Sequence, residues 1–167
     1  MTQSITQHHS KTETKNIMTN TKPQDRVKDY FNSDQKKGLM LYGPNGTGKS
    51  TAMRPYTKTM WHGSALQYAS VIAKNGTDYI NKYSMHDMYI DDLGRERTTV
   101  SNYGDNITPL HDLLHFRYEV FIQSGYKTHI STNLTLKELA DRYGTPIADR
   151  LKEMCTIIEM KGESLRA

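Results

Sequence analysis

The chain has 167 residues, a hydrophobic fraction of 35% and a formal net charge of +4 at pH 7. This length suits a single domain with a buried core, and the sequence holds no apolar run of 18 residues that could span a membrane. The one cysteine, Cys155, excludes an intrachain disulfide, so we expect a protein of the reducing cytoplasm.

The first part of the chain has an unusual composition. Residues 1–23 are almost entirely Thr, Gln, Ser, Asn, Lys and His. Such a segment buries too little apolar surface to offset the entropy of ordering it, so we predict a disordered polar tail. It also lacks the apolar centre of a secretory signal. The remainder, residues 24–167, is predicted to form one domain.

Apolar runs alternate with helical patterns along that domain. The predicted strands are residues 38–43, 65–70, 88–91, 128–132 and 155–160, and the predicted helices are residues 24–32, 108–124, 135–144 and 145–154. Thr135 and Glu138 are spaced as a capping box, and Thr145 is expected to cap the next helix with Pro146 in its first turn. This order predicts an α/β fold with a five-stranded parallel sheet flanked by helices.

The stretch "GPNGTGKST" follows the first strand and precedes a helix. It matches the phosphate-binding loop pattern G-x-x-x-x-G-K-[ST], in which glycines let backbone N–H groups face phosphate oxygens. Lys49 is expected to reach the β- and γ-phosphates of ATP, and the Ser50 hydroxyl to bind Mg²⁺. The alternative is a glycine-rich turn with a surface lysine. The predicted nucleotide-binding residues are Gly43, Pro44, Asn45, Gly46, Thr47, Gly48, Lys49, Ser50 and Thr51.

Two adjacent aspartates end the strand in "MYIDDLG". A strand followed by an acidic turn is common by itself, but next to a phosphate loop it predicts a metal site. We expect Asp91 to hold Mg²⁺ through a water molecule, because the charge of the metal offsets the repulsion between the two adjacent carboxylates. Asp92 is expected to orient and polarise a water molecule that attacks the γ-phosphate.

Two later residues fit the same chemistry. Asn133 follows the strand "HIST" and could bind the attacking water, or else cap the next helix. Arg150 lies in the helix "TPIADRLKEM" and could reach the γ-phosphate of a neighbouring subunit, or else pair with surface acids.

The stretches "GLMLYGPNGTGKST", "MYIDDLG", "HISTNL", "YGTPIADRLKEM" and "KGESLR" resemble, in order and spacing, the AAA+ ATPases of the bacterial DnaC-type helicase loaders and the related IstB transposition helpers. The resemblance spans about residues 38–166 and suits a member from a phage or mobile element. It implies a P-loop NTPase without a clear C-terminal lid domain, which acts as an ATP-switched, head-to-tail oligomer in replication initiation or transposition.

The same resemblance assigns roles to single residues. It makes Asn133 the first sensor of nucleotide state, Arg150 the arginine that acts on the neighbouring subunit, and Arg166 a further sensor. It implies a replicative helicase or a transposase as partner, and single-stranded DNA near basic residues, for which a solvated surface is the simpler interpretation. Those basic residues are Arg95, Arg97, Lys74 and Lys82.

The chain also departs from that family. Only the polar tail and one short helix precede the ATPase core, which leaves helicase loading open. Pro55 should end or kink the helix after the phosphate loop. Asp92 stands where most AAA+ enzymes have Glu, which suggests slow turnover. Two other functions remain possible from the sequence: an ATP-bound adaptor without catalysis, and a small P-loop kinase, although no lid insert is evident.

Overall fold

The computed structural model describes residues 22–102 and 104–162. Most of the predicted tail, and Arg166, lie outside the described residues. Within them, no helix combines the length and the apolar character needed to cross a lipid bilayer.

Helices and strands alternate through the described part of the chain. The helices are α1 Pro23–Phe31, α2 Lys49–Met53, α3 Ala65–Asn75, α4 Pro109–Ser124, α5 Leu136–Tyr143 and α6 Thr145–Met154, with 3₁₀ helices at Arg54–Thr59 and Thr77–Tyr83. The strands are β1 Gly38–Tyr42, β2 Trp61–Ser64, β3 Met88–Leu93, β4 Val100–Asn102, β5 Asp105–Ile107, β6 Thr128–Thr132 and β7 Cys155–Glu159.

Five strands form one sheet in the order β2-β3-β6-β1-β7, and every pairing in it is parallel. The predicted α/β architecture is therefore confirmed. Because parallel strands end at the same edge, the loop after β1, the end of β3 and the end of β6 come together there. Strands β4 and β5 form a separate antiparallel hairpin.

The sheet has a core on each face, as the alternation of side chains along β1 illustrates. Leu39 and Leu41 pack with Val27 of α1 and Met53 of α2. Met40 faces the opposite side, where α3, α4, α5 and α6 cover the sheet. Each face thus carries its own layer of helices.

The prediction of a strand at residues 65–70 is wrong, because Ala65–Asn75 is helix α3 and the strand lies just before it, at Trp61–Ser64. Ser64 and Gln67 form a capping box: the Gln67 N–H donates to the Ser64 hydroxyl oxygen, and the Ser64 N–H donates to the Gln67 side chain. This start signal places the helix after Ser64.

The other expected helix boundaries mostly agree with the structure. The helix after the phosphate loop changes to a 3₁₀ helix at Arg54–Thr59, which contains Pro55, so the expected interruption is confirmed. The capping box of Thr135 and Glu138 is present. Thr145, expected as the cap of α6, is instead its first residue, and Gly144 takes the capping position without a side-chain bond.

Helix α4 carries an arginine that is fully buried beneath the sheet. Arg117 donates from Nε to the Thr128 hydroxyl at 2.9 Å and from Nη2 to the Lys127 carbonyl at 2.8 Å, and Nη1 donates to the Tyr83 carbonyl. Burial lowers the pKa of this guanidinium to about 10. Three donors thus tie α4 to the start of β6 and to the second 3₁₀ helix.

A second buried titratable side chain lies in the middle of the sheet. His129 of β6 accepts from the Leu39 N–H at Nδ1 over 3.2 Å, and its Nε2 is buried without a partner among the described residues. Its ring stacks on Phe31 of α1 at 5.5 Å between ring centroids. Burial lowers the pKa of His129 from 6.5 to about 4.

We expect this histidine to make the fold acid-sensitive. Between pH 6.5 and 4, His129 binds a proton in the unfolded chain but not in the folded chain. The free energy of unfolding therefore falls as the pH falls. Above about pH 6.5 this contribution is fully present, and at pH 4 the loss from this group approaches about 3 kcal/mol. His129→Asn keeps an acceptor for Leu39 and cannot titrate, so it should flatten the pH profile measured by urea unfolding at pH 7.5 and pH 4.5. Equal profiles for both proteins would contradict this account.

Candidate nucleotide-binding site

The loop between β1 and α2 has the backbone shape that phosphate binding requires. Gly43, Gly46 and Gly48 have φ angles of 146°, 82° and 83°, in the region that favours glycine. At Gly43 an added Cβ would lie 2.4 Å from the Met160 carbonyl oxygen, so the chain just after β7 packs directly against the loop. Glycine is therefore required here by space as well as by conformation.

The predicted loop residues divide into those that line a cleft and those that hold the loop together. The cleft has a volume of about 200 Å³, and its lining from the loop and α2 is Asn45, Gly46, Gly48, Lys49, Ser50 and Thr51. The remaining residues act within the loop, since Thr47 Oγ1 donates to the Pro44 carbonyl at 3.0 Å. The cleft thus opens onto the part of the loop expected to face phosphate.

Lys49 is folded across its own loop. Its Nζ donates to the carbonyl oxygens of Gly43 and Pro44, each at 2.7 Å, and the residue is only 5% exposed. The ammonium group therefore lies against the phosphate-binding turn. Phosphate oxygens are stronger acceptors than these carbonyls, so a bound phosphate could draw the same Nζ into the cleft.

Asp91 is bound to the phosphate-loop helix directly. The Ser50 hydroxyl donates to Asp91 Oδ1 at 2.8 Å, although 41 residues separate the two in sequence. Tyr89 OH donates to the same oxygen at 2.8 Å, and the Ser131 hydroxyl also donates to it. The two groups expected to bind Mg²⁺ are therefore adjacent, and the carboxylate is stabilised by neighbouring hydroxyls.

Sequence reasoning missed Tyr89 and Ser131. Tyr89 precedes Asp91 by two residues on β3, so both side chains lie on the same face, and Ser131 lies on the adjacent strand β6. Burial raises the pKa of the Tyr89 phenol well above its usual value, so Tyr89 remains a hydrogen-bond donor to Asp91. The two-residue spacing was a usable signal for Tyr89, whereas Ser131 required the strand order.

Asp92 departs from ordinary strand geometry. Its φ is 54°, the one positive value at a non-glycine residue in the described chain, and the β3–β6 register shifts between Ile90 and Leu93. The Asp92 N–H donates to the Ser131 hydroxyl oxygen at 3.0 Å. Its carboxylate lies in the lining of the cleft and accepts from Arg95 Nη1 at 3.0 Å. The two adjacent aspartates thus face different partners.

Asn133 lines the same cleft from the end of β6. Its Oδ1 is buried and has no hydrogen-bond partner among the described residues. Buried acceptors are rarely left in this state, so the site is suited to a donor such as a water molecule. Strand β6 lies between β1 and β3, which is why Asn133 emerges between the loop and the aspartates.

The arginines that the sequence singles out differ in whether they line the cleft. Arg150 is not among the residues that line the cleft, and its guanidinium lies 5.1 Å from the centre of the Tyr118 ring. Arg166 is outside the described residues. Arg95, which the sequence suggested only as a surface contact, lines the cleft.

Known proteins resemble this chain in fold and in part of its sequence. The family model described as RNA helicase matches residues 39–133, more than half of the chain, from β1 to Asn133. No functionally curated protein matches significantly. The match covers the phosphate loop and both aspartates, so it includes the whole candidate site.

Several solved structures share the fold at low sequence identity. A candidate primosome component from Streptococcus pyogenes serotype M3 has a TM-score of 0.63 at 15% identity, and covers 86% of this chain and 80% of its own. The DnaC helicase loader has a TM-score of 0.55 at 18% identity, and the match covers 93% of this chain and 94% of the loader. The replication initiator DnaA bound to AMPPCP and single-stranded DNA has a TM-score of 0.60 at 16% identity, and the match covers 83% of this chain and 45% of DnaA.

These likenesses confirm the α/β fold predicted from the sequence and its similarity to the fold of the DnaC helicase loader. At such low identity they establish the fold, while the matched family model establishes the relationship. The chain belongs to the family described as RNA helicase, and its α/β fold is similar to that of the DnaC helicase loader.

Proposed function

We propose that this chain is a slow ATPase that works on nucleic acid, in replication initiation or in the movement of a mobile element. One observation supports it above all: Ser50 contacts Asp91, while Lys49, Asp92 and Asn133 line one cleft at the sheet edge. This arrangement supports ATP hydrolysis, which requires a cation for the phosphates, oxygen ligands for the metal and polar groups that act on the attacking water. The single cysteine favours a cytoplasmic setting.

The residues present fit Mg²⁺. The Ser50 hydroxyl and the Asp91 carboxylate offer two hard oxygen ligands 2.8 Å apart, which suits an ion that prefers oxygen and retains water. When bound, Mg²⁺ would neutralise charge on the phosphate oxygens. Tyr89 and Ser131 would keep the Asp91 carboxylate oriented by their hydrogen bonds.

The residues of the cleft divide the remaining tasks. Lys49 would exchange its carbonyl partners for the β- and γ-phosphate oxygens. Asn133 Oδ1 would accept a hydrogen bond from the attacking water, and Asp92 would accept that water's proton. Since Asp is shorter than Glu, its contact with the water would be less close, which supports slow turnover.

A small groove beside α2 fits the base of the nucleotide. It has a volume of about 170 Å³ and is lined by Gln24, Val27, Gly48, Thr51, Ala52, Pro55 and Tyr56. Gly48 and Thr51 line both this groove and the phosphate cleft, so one nucleotide could occupy the two together. Helix α1 would then contribute to nucleotide binding.

A kinase is less well supported than an ATPase. A groove of about 320 Å³ lies beside Asp91, with Arg54, His62 and Gln67 in its lining. Neither Asp92 nor Asn133 lines this groove. A kinase substrate bound there would therefore be apart from Asp92, the group proposed to accept the proton. Water in the phosphate cleft is the better-placed acceptor.

The proposed partners follow from the fold relatives and from two surfaces. A head-to-tail homo-oligomer would use Arg150, which lies outside its own cleft and rests on Tyr118 of α4. A replicative helicase or a transposase remains the proposed protein partner.

The proposed single-stranded DNA surface is at the sheet edge formed by β2. Lys82 Nζ lies 5.5 Å from the centre of the Trp61 ring and bonds Tyr79 OH at 2.8 Å, a contact that raises the pKa of Lys82 and keeps it charged. Trp61 is 36% exposed, and His86 lies beside it at 6.1 Å. An exposed aromatic ring with a fixed cation suits a stacked base and its phosphate.

We expect Lys49→Ala to lose most of its affinity for ATP, because the variant lacks the cation for the β- and γ-phosphates. Charge-assisted bonds of this kind are worth about 1.5–3 kcal/mol, which corresponds to roughly 10- to 100-fold in affinity. Calorimetric titration with Mg–ATP measures it, and circular dichroism checks that the buried substitution leaves the fold intact. Lys137→Ala, on exposed α5 surface, is the control. Unchanged affinity in Lys49→Ala would refute the site.

The test of hydrolysis is Asp92→Asn, which keeps the shape of the side chain and removes its ability to accept a proton. We expect phosphate release to fall by about 10²- to 10⁴-fold with ATP affinity nearly retained. Asp141→Asn, an exposed substitution on α5, should behave as the unmodified protein. If the unmodified protein binds ATP but releases no phosphate, with or without single-stranded DNA, the chain is an adaptor and the proposed activity is wrong.

The chain contains a single tryptophan, so intrinsic fluorescence reports on Trp61 alone. We expect an oligothymidylate to quench it, with affinity that weakens as salt is raised. Lys82→Ala should weaken binding, and Trp61→Ala, followed by anisotropy of a labelled oligonucleotide, should weaken it by about 5- to 100-fold, since a stacked base contributes about 1–3 kcal/mol. Lys152→Ala, on α6, should have no effect. Binding without quenching would place the strand elsewhere.

A further inference from the structure

Arg95 is positioned on the phosphate side of the cleft. Its Nη1 lies 3.0 Å from Asp92 Oδ2, and it lines the cleft together with the phosphate loop and Asn133. The side chain is 67% exposed, so it is free to change partner without leaving a buried charge behind. A guanidinium group in this place is a candidate ligand for the terminal phosphate.

The turn that carries Arg95 is fixed on both sides. Gly94 has a φ of 100°, which disfavours any residue with a side chain, and a Cβ there would lie 2.5 Å from Leu134 Cδ1 and displace that side chain. The Gly94 N–H donates to Glu96 Oε2 at 3.0 Å. The Arg95 N–H closes the turn on the Asp92 carbonyl at 3.2 Å.

Glu96 anchors this turn to helix α5. Its side chain is fully buried, and Oε1 accepts from Tyr143 OH and from Arg142 Nη2, the latter at 3.2 Å. The main chain of Glu96 also accepts from Arg142. Since the residues before and after Arg95 are held, its side chain projects from a fixed turn, whereas the guanidinium itself is exposed.

We propose that Arg95 is a γ-phosphate ligand supplied by the same chain, and that its pairing with Asp92 marks the state without that phosphate. The proposal rests on the ATPase function proposed above. An exposed ion pair contributes only about 0–1 kcal/mol, whereas a bidentate arginine–phosphate contact is considerably stronger. The Arg95 guanidinium therefore binds the terminal phosphate of ATP in place of Asp92. ADP lacks that phosphate, so the Arg95–Asp92 ion pair stays intact when ADP is bound.

This exchange links nucleotide state to catalysis. With Arg95 on the γ-phosphate, the Asp92 carboxylate is released to accept a proton from water. The water oxygen forms a bond to the γ-phosphorus, the bond from that phosphorus to the β–γ bridging oxygen breaks, and ADP leaves with the bond's electron pair. Arg95 stabilises the charge on the transferred group. After phosphate departs, Arg95 returns to Asp92.

Arg97 offers a matched comparison. It is an exposed arginine two residues further along the same loop, and it is not among the residues that line the cleft. Arg95→Ala and Arg97→Ala change the net charge equally. A difference between them in nucleotide binding, measured without nucleic acid, therefore reports position rather than charge.

The experiment compares ATP and ADP affinities by calorimetry, with Mg²⁺ present and Asp92 unchanged, and the non-hydrolysable analogue AMPPCP takes the place of ATP to prevent turnover. We expect Arg95→Ala to weaken ATP binding by roughly 10- to 100-fold and to leave ADP binding within about twofold. Arg95→Lys should recover part of the loss, and Arg97→Ala should change neither affinity. The rate of phosphate release from ATP should also fall in the Arg95→Ala variant with Asp92 unchanged.

Three results would overturn the proposal, and they differ in what else they contradict. If the unmodified protein binds ATP normally and Arg95→Ala behaves as Arg97→Ala, Arg95 is a surface residue and only this inference is wrong. If the unmodified protein binds neither ATP nor ADP, the proposed ATPase function fails and the inference fails with it. Equal losses for ATP and ADP in Arg95→Ala would also contradict a contact made with the γ-phosphate alone.

Discussion

The hydrogen bond from Ser50 to Asp91 is the contact on which the geometry of the candidate site depends. Ser50 lies in the first turn of α2, Asp91 lies in β3, and β6 separates β1 from β3 in the sheet. The Ser131 hydroxyl, on β6, bonds the same carboxylate oxygen and accepts from the Asp92 N–H. One side chain of the middle strand therefore sets the position of both aspartates relative to the phosphate loop, and a change in strand register would separate them.

Much of this arrangement could be predicted because its causes are local or follow from parallel pairing. The phosphate loop needs glycine at particular positions, and that requirement is visible in the sequence. The meeting of Ser50, Asp91 and Asn133 follows once their strands are parallel, since the carboxyl ends then share an edge. The interruption at Pro55 follows from its missing N–H. The roles of these residues in catalysis remain proposals.

The errors have equally definite causes. The apolar run at residues 65–70 suggests a strand, yet Ser64 and Gln67 form a capping box whose helix signal outweighs it. Arg95 looked like a surface residue because its place in the cleft depends on long-range contacts. Those contacts are the burial of Glu96 against Arg142 and Tyr143, and the close approach of Leu134 to Gly94. No local pattern in "GRERTT" contains them.

The strained backbone at Asp92 fits the same scheme. A non-glycine residue at φ 54° is disfavoured by roughly 1–2 kcal/mol, and the bond from its N–H to Ser131 offsets part of this. Regular strand geometry would send successive side chains to opposite faces of the sheet. The left-handed residue instead lets Asp91 meet Ser50 while Asp92 lines the phosphate cleft. The strained residue thus directs two adjacent carboxylates to different partners: Asp91 contacts Ser50, whereas Asp92 lines the cleft and contacts Arg95.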